Sequence, residues 1–196
     1  MKNTYGQNII AGDRGLEALY QLKIIPNHVV GDFDSVSPKI LEFYKKQPQI
    51  IFHTYNAEKD NTDTDIALKL AIQINSSEIT ILGALGKRMD HAIANIHILK
   101  DALEANTPCQ IIDTYNRIYL INTEKTLEKD KAYGKYVSLI PLTSTVEGLT
   151  LKGFKYPLNK YNLPIGTSLG ISNEMIEDIA HIEMEKGILI VIESKD

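Results

Sequence analysis

Between residues 9 and 112, short apolar runs alternate with stretches whose apolar residues recur at helical spacing. No other feature of the chain restricts its fold as much. Residues 8–12, 28–31, 49–53, 78–82 and 109–112 read as strands. Between them lie helical stripes: Leu16, Leu19 and Tyr20, then Ile40, Leu41 and Tyr44, then Ile66, Leu70 and Ile74, then Ala92, Ile96, Leu99 and Leu103. Ser37-Pro38 supplies a helix start, with a polar cap residue before proline at the first helical position. Strands alternating with helices imply parallel strands joined by right-handed crossovers. The expectation is an open, mostly parallel α/β sheet with helices on its faces, residues 117–121 turning back as a sixth strand.

In such a sheet the strand C-termini share one edge, and ligands bind in the crevice there. Asp13, Asp32 with Asp34, Asp60 with Asp63, and Arg88 with Asp90 each follow a strand. Val29-Val30-Gly31-Asp32-Phe33-Asp34-Ser35 is the most pointed of these stretches, because carboxylates at i and i+2 of a strand share a face. Two acids with no partner repel, so the pair calls for a cation. Hard oxygen ligands suit Mg²⁺, which takes one or two carboxylates together with substrate phosphates. Lys59 and Arg88 are cations near this edge, and Arg88 can grip a phosphate bidentately. The formal net charge is −4, so a polyphosphate is attracted to an acidic edge only through a bridging metal. The same balance gives no reason to expect a nucleic-acid partner. No Gly-x-x-x-x-Gly-Lys-Ser/Thr loop is present, which excludes a Walker-type ATPase.

Plainer readings stand beside these. Asp13 before Arg14-Gly15 reads as a helix cap, and His91 as an ordinary surface histidine at a helix start. Asn95, one turn on, either faces the cleft or flanks the helix. Thr62 with Asp65 three residues later matches a capping box, and Asp65 is assigned to that role. Asp63 falls in a first helical turn, where the dipole alone favours an acid.

From about residue 124 the texture changes to short strand-like runs at 136–142, 146–154, 179–184 and 188–193, separated by Gly, Pro and Asn turns. Glu185-Lys186-Gly187 reads as a hairpin turn between the last two. The expected division is an α/β nucleotide-binding domain, 1–123, followed by a small all-β sandwich domain, 124–196. A region that small is expected to pack on the first domain or on another subunit. Cys109, the one cysteine, excludes an intrachain disulfide and reads as a small core hydrophobe. The start lacks an apolar signal core and no segment is long enough to span a membrane, so a soluble, cytoplasmic protein is expected.

With those residues placed, the order of motifs resembles the thiamin pyrophosphokinase family. The matching stretches are Asp13-Arg14-Gly15, Gly31-Asp32-Phe33-Asp34-Ser35, Lys59-Asp60-Asn61-Thr62-Asp63, Arg88-Met89-Asp90-His91 with Asn95, and Gly170-Ile171-Ser172-Asn173-Glu174. The resemblance covers nearly the whole chain. It implies a homodimer that transfers the pyrophosphoryl group of MgATP to the hydroxyl of thiamin, giving thiamin diphosphate and AMP. It further implies Asp32, Asp34 and Asp63 as Mg²⁺ ligands, Thr62 and Arg88 near the ATP phosphates, and Asp13 and Asp90 at the reaction centre. Lys59, Asp60, His91 and Asn95 join the nucleotide-site candidates, and Ser172 and Asn173 lie near thiamin. As bare residues, Ser172-Asn173 reads only as a turn.

Two departures accompany the resemblance. Lys87 stands between Gly86 and Arg88, where the family shows a double glycine before the arginine. Only eight residues precede Ile9, where the family has a strand and a helix, so a shortened first unit is expected. Two rival readings differ in class. Asp32-Phe33-Asp34-Ser35-Val36 fits the nucleophile motif of haloacid-dehalogenase-like phosphatases, with Asp32 as nucleophile and Asp34 as acid/base. The later lysine and paired aspartates of that family have no convincing counterpart here. A thiamin- or nucleotide-binding protein without turnover is the non-enzymatic rival.

Overall fold

The computed structural model describes residues 7–54 and 61–196; Lys59 and Asp60 lie outside them. The chain separates into two compact units, Met1–Ser76 and Ser77–Asp196.

In the first unit β1 (Ile10–Gly12), α1 (Gly15–Leu22), β2 (His28–Gly31), α2 (Pro38–Lys45), β3 (Ile51–Thr54) and α3 (Asp63–Gln73) follow in the expected alternation. The strands form a parallel sheet in the order β1-β2-β3, with Ile10 opposite His28 and His28 opposite Ile51. Val29 faces a core of Leu16, Val36, Tyr44 and Ile50, with Phe52 packed against it. Tyr44 is fully buried and sends its hydroxyl to the Ile24 carbonyl at 2.9 Å, so its phenol is paired inside the core. His28 and His53, on neighbouring strands, share a hydrogen bond of 3.1 Å between Nδ1 and Nε2.

The second unit holds β4 (Ile79–Leu82), α4 (Met89–Glu104), β5 (Cys109–Ile112), β6 (Asn116–Ile121), β7 (Lys125–Glu128), a 3-10 turn (Lys129–Lys131), β8 (Tyr136–Pro141), β9 (Thr145–Lys152), β10 (Leu158–Pro164), β11 (Asn173–Glu174), β12 (Ile179–Glu183) and β13 (Leu189–Ser194). One sheet runs β11-β8-β13-β6-β5-β4 and the other β10-β9-β12-β7. β4 and β5 are parallel, and β6 does turn back antiparallel on β5. The fold class is therefore α/β, with parallel strands, flanking helices and a further antiparallel sheet.

The hydrogen-bonded ladder continues from β5 through β6 into β13 and β8, so one sheet carries strands from both sides of residue 123. The apolar run at β13 explains how. Leu189 and Val191 face the core between the two sheets, with Val137, Leu149, Leu163 and Ile182. Ile190 and Ile192 point the other way, to the cluster that includes Leu99 of α4, Ile111 and Ile118. A strand covered on both faces needs no polar alternation. Cys109 sits at the edge of that cluster beside a cavity of about 220 Å³ lined by Leu99, Leu103 and Leu120. Burial pushes its thiol up to about 12.

Glu185-Lys186-Gly187 does not close a hairpin. β12 and β13 belong to different sheets, and the segment crosses between them, Glu185 donating its N–H to the Glu147 carbonyl at 2.9 Å. The crossing places Ile182 and Leu189 on opposite sides of the same core. Gly187 takes φ 113° there, a conformation that disfavours side-chain-bearing residues.

One buried ionic network braces the six-stranded sheet. Glu193, 1 % exposed, stands directly across from Arg117. Its carboxylate accepts from Arg117 Nε at 3.1 Å, from Arg117 Nη2, from the Tyr119 hydroxyl at 3.0 Å and from the Tyr133 N–H at 2.9 Å. Burial, then the Glu193 charge, raises the Tyr119 pKa far above that of a free phenol. No helix among the described residues is long and apolar enough to cross a membrane.

Candidate active site

In the first unit the C-terminal ends of β1 and β2 bring three acids together. Asp13, Asp32 and Asp34 each offer a carboxylate oxygen, all within 4.8 Å of one another. Asp13 extends the β1–β2 ladder by donating its N–H to the Val30 carbonyl at 3.0 Å, and it takes φ 28°. Asp32 accepts the Asp34 N–H at 3.1 Å, folding the segment back on itself. Between them Phe33 adopts φ 66°, an uncommon state for a bulky residue, with its ring in the core. Left-handed backbone at both Asp13 and Phe33 is the local strain that ligand sites often hold. The acids thus converge through a tight turn, where the sequence pattern suggested a straight i, i+2 strand end.

Electrostatically the cluster is incomplete. Asp13 receives the Ser35 hydroxyl on Oδ2, while its Oδ1 is buried without a hydrogen-bond partner. The Asp34 pKa is raised, first by its hydrogen bond to Asp32, then by the charges of Asp32 and Asp13 and by desolvation. An orphaned oxygen, three crowded carboxylates and a disfavoured negative charge are all relieved by a divalent cation, and the donor set is the hard-oxygen type that Mg²⁺ takes. The residues present fit that ion.

Asp63 opens α3, and a Cβ added at Gly12 would lie 3.7 Å from the Asp63 Cβ. The helix start is therefore beside the strand end that carries Asp13, though Asp63 is not one of the three clustered acids. Thr62 caps α3 by accepting the Asp65 N–H on its hydroxyl at 3.3 Å. Asp65 stands on the buried face with Leu68 and Ala71, one oxygen on Lys69 at 3.0 Å and the other without a partner, so only half of the expected capping box forms.

In the second unit Arg88 directly follows the loop after β4 and pairs with Asp90, Nε to Oδ1 at 3.1 Å. The guanidinium, aided by the His91 N–H, holds the Asp90 carboxyl well below its usual value, at about 2. His91 is exposed. Asn95 is buried and donates from Nδ2 to the Ala84 carbonyl at 2.9 Å, tying α4 to the Gly83–Arg88 loop. Ser172 is exposed, has φ 56° and donates its N–H to the Ser138 hydroxyl at 2.9 Å. Asn173 is buried beside it and is bonded to the Tyr156 backbone.

Ser35, which reads in the sequence as a cap for the next helix, bonds Asp13 instead, and Ser138 carries a hydrogen bond that no sequence reading assigned to it. Ser35 lay inside the quoted motif, whereas nothing in the sequence marks Ser138, whose role depends on a contact 34 residues away.

Residues 4–111 match the family model described as thiamin pyrophosphokinase, catalytic domain, and residues 121–189 match that of the vitamin B1 binding domain. The chain belongs to the thiamin pyrophosphokinase family. A thiamine pyrophosphokinase of Bacillus subtilis (strain 168) is 39 % identical over 95 % of this chain and 87 % of its own length. The crystal structure of thiamine pyrophosphokinase from Bacillus subtilis superposes with a TM-score of 0.90 at 37 % identity, covering 99 % of this chain and 90 % of that one. Thiamin pyrophosphokinase from Geobacillus thermodenitrificans gives 0.87 at 32 % identity over 99 % and 89 %. In this thiamin pyrophosphokinase family member the acid cluster falls in the catalytic match and Ser172-Asn173 in the vitamin B1 binding match.

Proposed function

We propose that this chain transfers the pyrophosphoryl group of ATP to the hydroxyl of thiamin, giving thiamin diphosphate and AMP. The observation that carries the reading is the match to catalytic and vitamin B1 binding models, in that order, within one chain. We assign residues 1–123 to catalysis and 124–196 to thiamin, which the matched segments 4–111 and 121–189 support.

In the reaction the thiamin hydroxyl oxygen bonds to the β-phosphorus as the bond from that phosphorus to the α,β-bridging oxygen breaks, and AMP leaves with the electron pair. Asp32, Asp34 and Asp63 are assigned to Mg²⁺, a choice supported by the crowding of Asp32 and Asp34 and by the position of Asp63 at an adjacent helix start. When bound, the ion supplies positive charge that neutralises phosphate oxygens in the transition state. Thr62, Lys59, Asp60, His91 and Asn95 belong to the nucleotide site, with Arg88 binding phosphate oxygens. Asp90 fixes the guanidinium plane of Arg88, and its depressed pKa makes it a weak base. Asp13 and Asp90 are both assigned to the reaction centre, where one of them receives the alcohol proton. Ser172 and Asn173 belong to the thiamin segment.

The chain is proposed to work in the cytoplasm as a homodimer. Ile165, Leu169, Ile171 and Ile176, all exposed within twelve residues of sequence, support a partner for the second unit. The phosphatase reading rests on five residues and the family match on both regions, so it is not carried further. Incubating the protein with ATP, Mg²⁺ and thiamin and identifying the adenine product tests the proposal. AMP with thiamin diphosphate is expected; ADP or free phosphate overturns it.

A further inference from the structure

Asn173 commits most of its side-chain amide to the backbone: both lone pairs of Oδ1 and one of the two Nδ2 hydrogens are taken. It is 5 % exposed. Its Oδ1 accepts from the Tyr156 N–H and the Glu174 N–H, both at 3.0 Å, and its Nδ2 donates to the Tyr156 carbonyl at 2.8 Å. The side-chain amide thereby pairs with the Tyr156 peptide as a neighbouring strand would. Asn173 itself lies opposite Val137 of β8, so the segment is held on both flanks. Further bonds fasten the same stretch. Leu139 donates its N–H to the Gly170 carbonyl at 2.8 Å and Lys155 to the Glu174 carbonyl at 2.9 Å, while Phe154 bridges Met175. A Cβ at Gly170 would overlap the Leu139 carbonyl oxygen. Held this way, Ser172 stays in a left-handed conformation with its N–H on Ser138, and Ile171 and Ser172 are the exposed residues of the segment.

We propose that Asn173 is a positioning residue: its amide locks the Tyr156 peptide against the 170–174 segment, so Ile171 and Ser172 meet thiamin already ordered, and Asn173 touches no substrate. The inference rests on the assignment of thiamin to this segment. Without the lock, the segment must be ordered as thiamin binds, which weakens ground state and transition state alike. A uniform loss of that kind raises KM and spares kcat.

Steady-state kinetics of Asn173→Ala, Asn173→Asp and Ser172→Ala decide the matter. Asn173→Ala is expected to raise the KM for thiamin about tenfold, the scale of one or two net hydrogen bonds, with kcat at saturating thiamin and the KM for ATP changing less than about twofold. Asn173→Asp keeps the two accepted bonds but sets a carboxylate oxygen against the Tyr156 carbonyl, so it too should raise the thiamin KM, and it serves as the second variant where the alanine one does not fold. A thiamin KM raised by Ser172→Ala but by neither Asn173 variant overturns the lock and spares the thiamin assignment. No effect from any of the three overturns both. An Asn173 variant that lowers kcat at unchanged thiamin KM, or raises both KM values equally, also overturns the proposal, since it points to a reacting contact or to general damage.

Discussion

The carboxylate of Glu193 and the carboxylates of Asp13, Asp32 and Asp34 occupy opposite electrostatic situations within one chain. Glu193 is buried in the second unit, yet both its oxygens are occupied, by a guanidinium, a phenol and a peptide N–H. The three aspartates of the first unit are closer to solvent and worse served. Like charges face one another, one oxygen has no donor, and Asp34 is disfavoured as an anion. Burial alone thus does not distinguish structural from functional acids here. Glu193 is matched within its own chain, whereas the crowded aspartate cluster is the proposed seat of a cation. Substitutions in the two places should separate stability from turnover.

The largest effect is expected at the matched acid. Glu193→Ala leaves Arg117, Tyr119 and the Tyr133 N–H facing a missing partner, and breaking a buried pair from one side costs about 3–5 kcal/mol. Urea denaturation should show that loss, while molecules that remain folded keep their KM values. Retained stability would break the contrast at its stronger pole.

Next is Asp34→Asn. Turnover should fall on the order of 100-fold, the scale of removing one preorganised electrostatic group at a reacting phosphate. Stability should move the other way. A group whose folded pKa is raised loses its stabilising contribution as pH rises through that value, so at neutral pH without divalent cation the asparagine variant should melt above the parent. Mg²⁺ should raise the melting temperature of the parent and leave that of Asp34→Asn nearly unmoved. Equal responses of the two proteins to Mg²⁺ would remove the cation from the cluster.

Smaller is the loss at Thr62→Ala, about 1 kcal/mol for an N-cap, read from thermal melts. Smallest is a pH effect in the first unit. Burial, and then His53, lower the His28 pKa, so below about 6.5 the unfolded chain binds more protons than the folded one and stability falls as pH drops. Melting curves between pH 7.5 and 5.5 should show this decline, and His28→Gln should flatten it.

Much of this architecture is legible in periodicity. The strands and helices from Ile10 to Ile112 lie within a few residues of their expected places, because each apolar stripe has one face to bury. β7, β10 and β11 escaped notice for the converse reason. Lys125–Glu128 is a charged edge strand with Leu127 as its buried residue, Leu158–Pro164 is a mostly exposed edge with register shifts, and Asn173–Glu174 is two residues long. Such strands are fixed by the ladder beside them and leave little pattern of their own. Among the site candidates, Asp32 and Asp34 were marked by spacing, while the company of Asp13 depends on β1 lying beside β2, a tertiary fact. The side-chain bonds of Asn95 and Asn173 are equally tertiary, each amide closing on a backbone that sequence distance conceals.

Cys109 carries a practical consequence. With the half-buried thiol pushed up to about 12, almost none of it is thiolate at neutral pH, the form that an alkylating agent attacks. Alkylation under native conditions is therefore expected to be slow, its rate set by the small thiolate fraction. With no second cysteine in the chain to confuse the signal, the alkylation half-life under native conditions, readable by mass in the intact protein, reports how the packing around β5 holds that one thiol in its unreactive form.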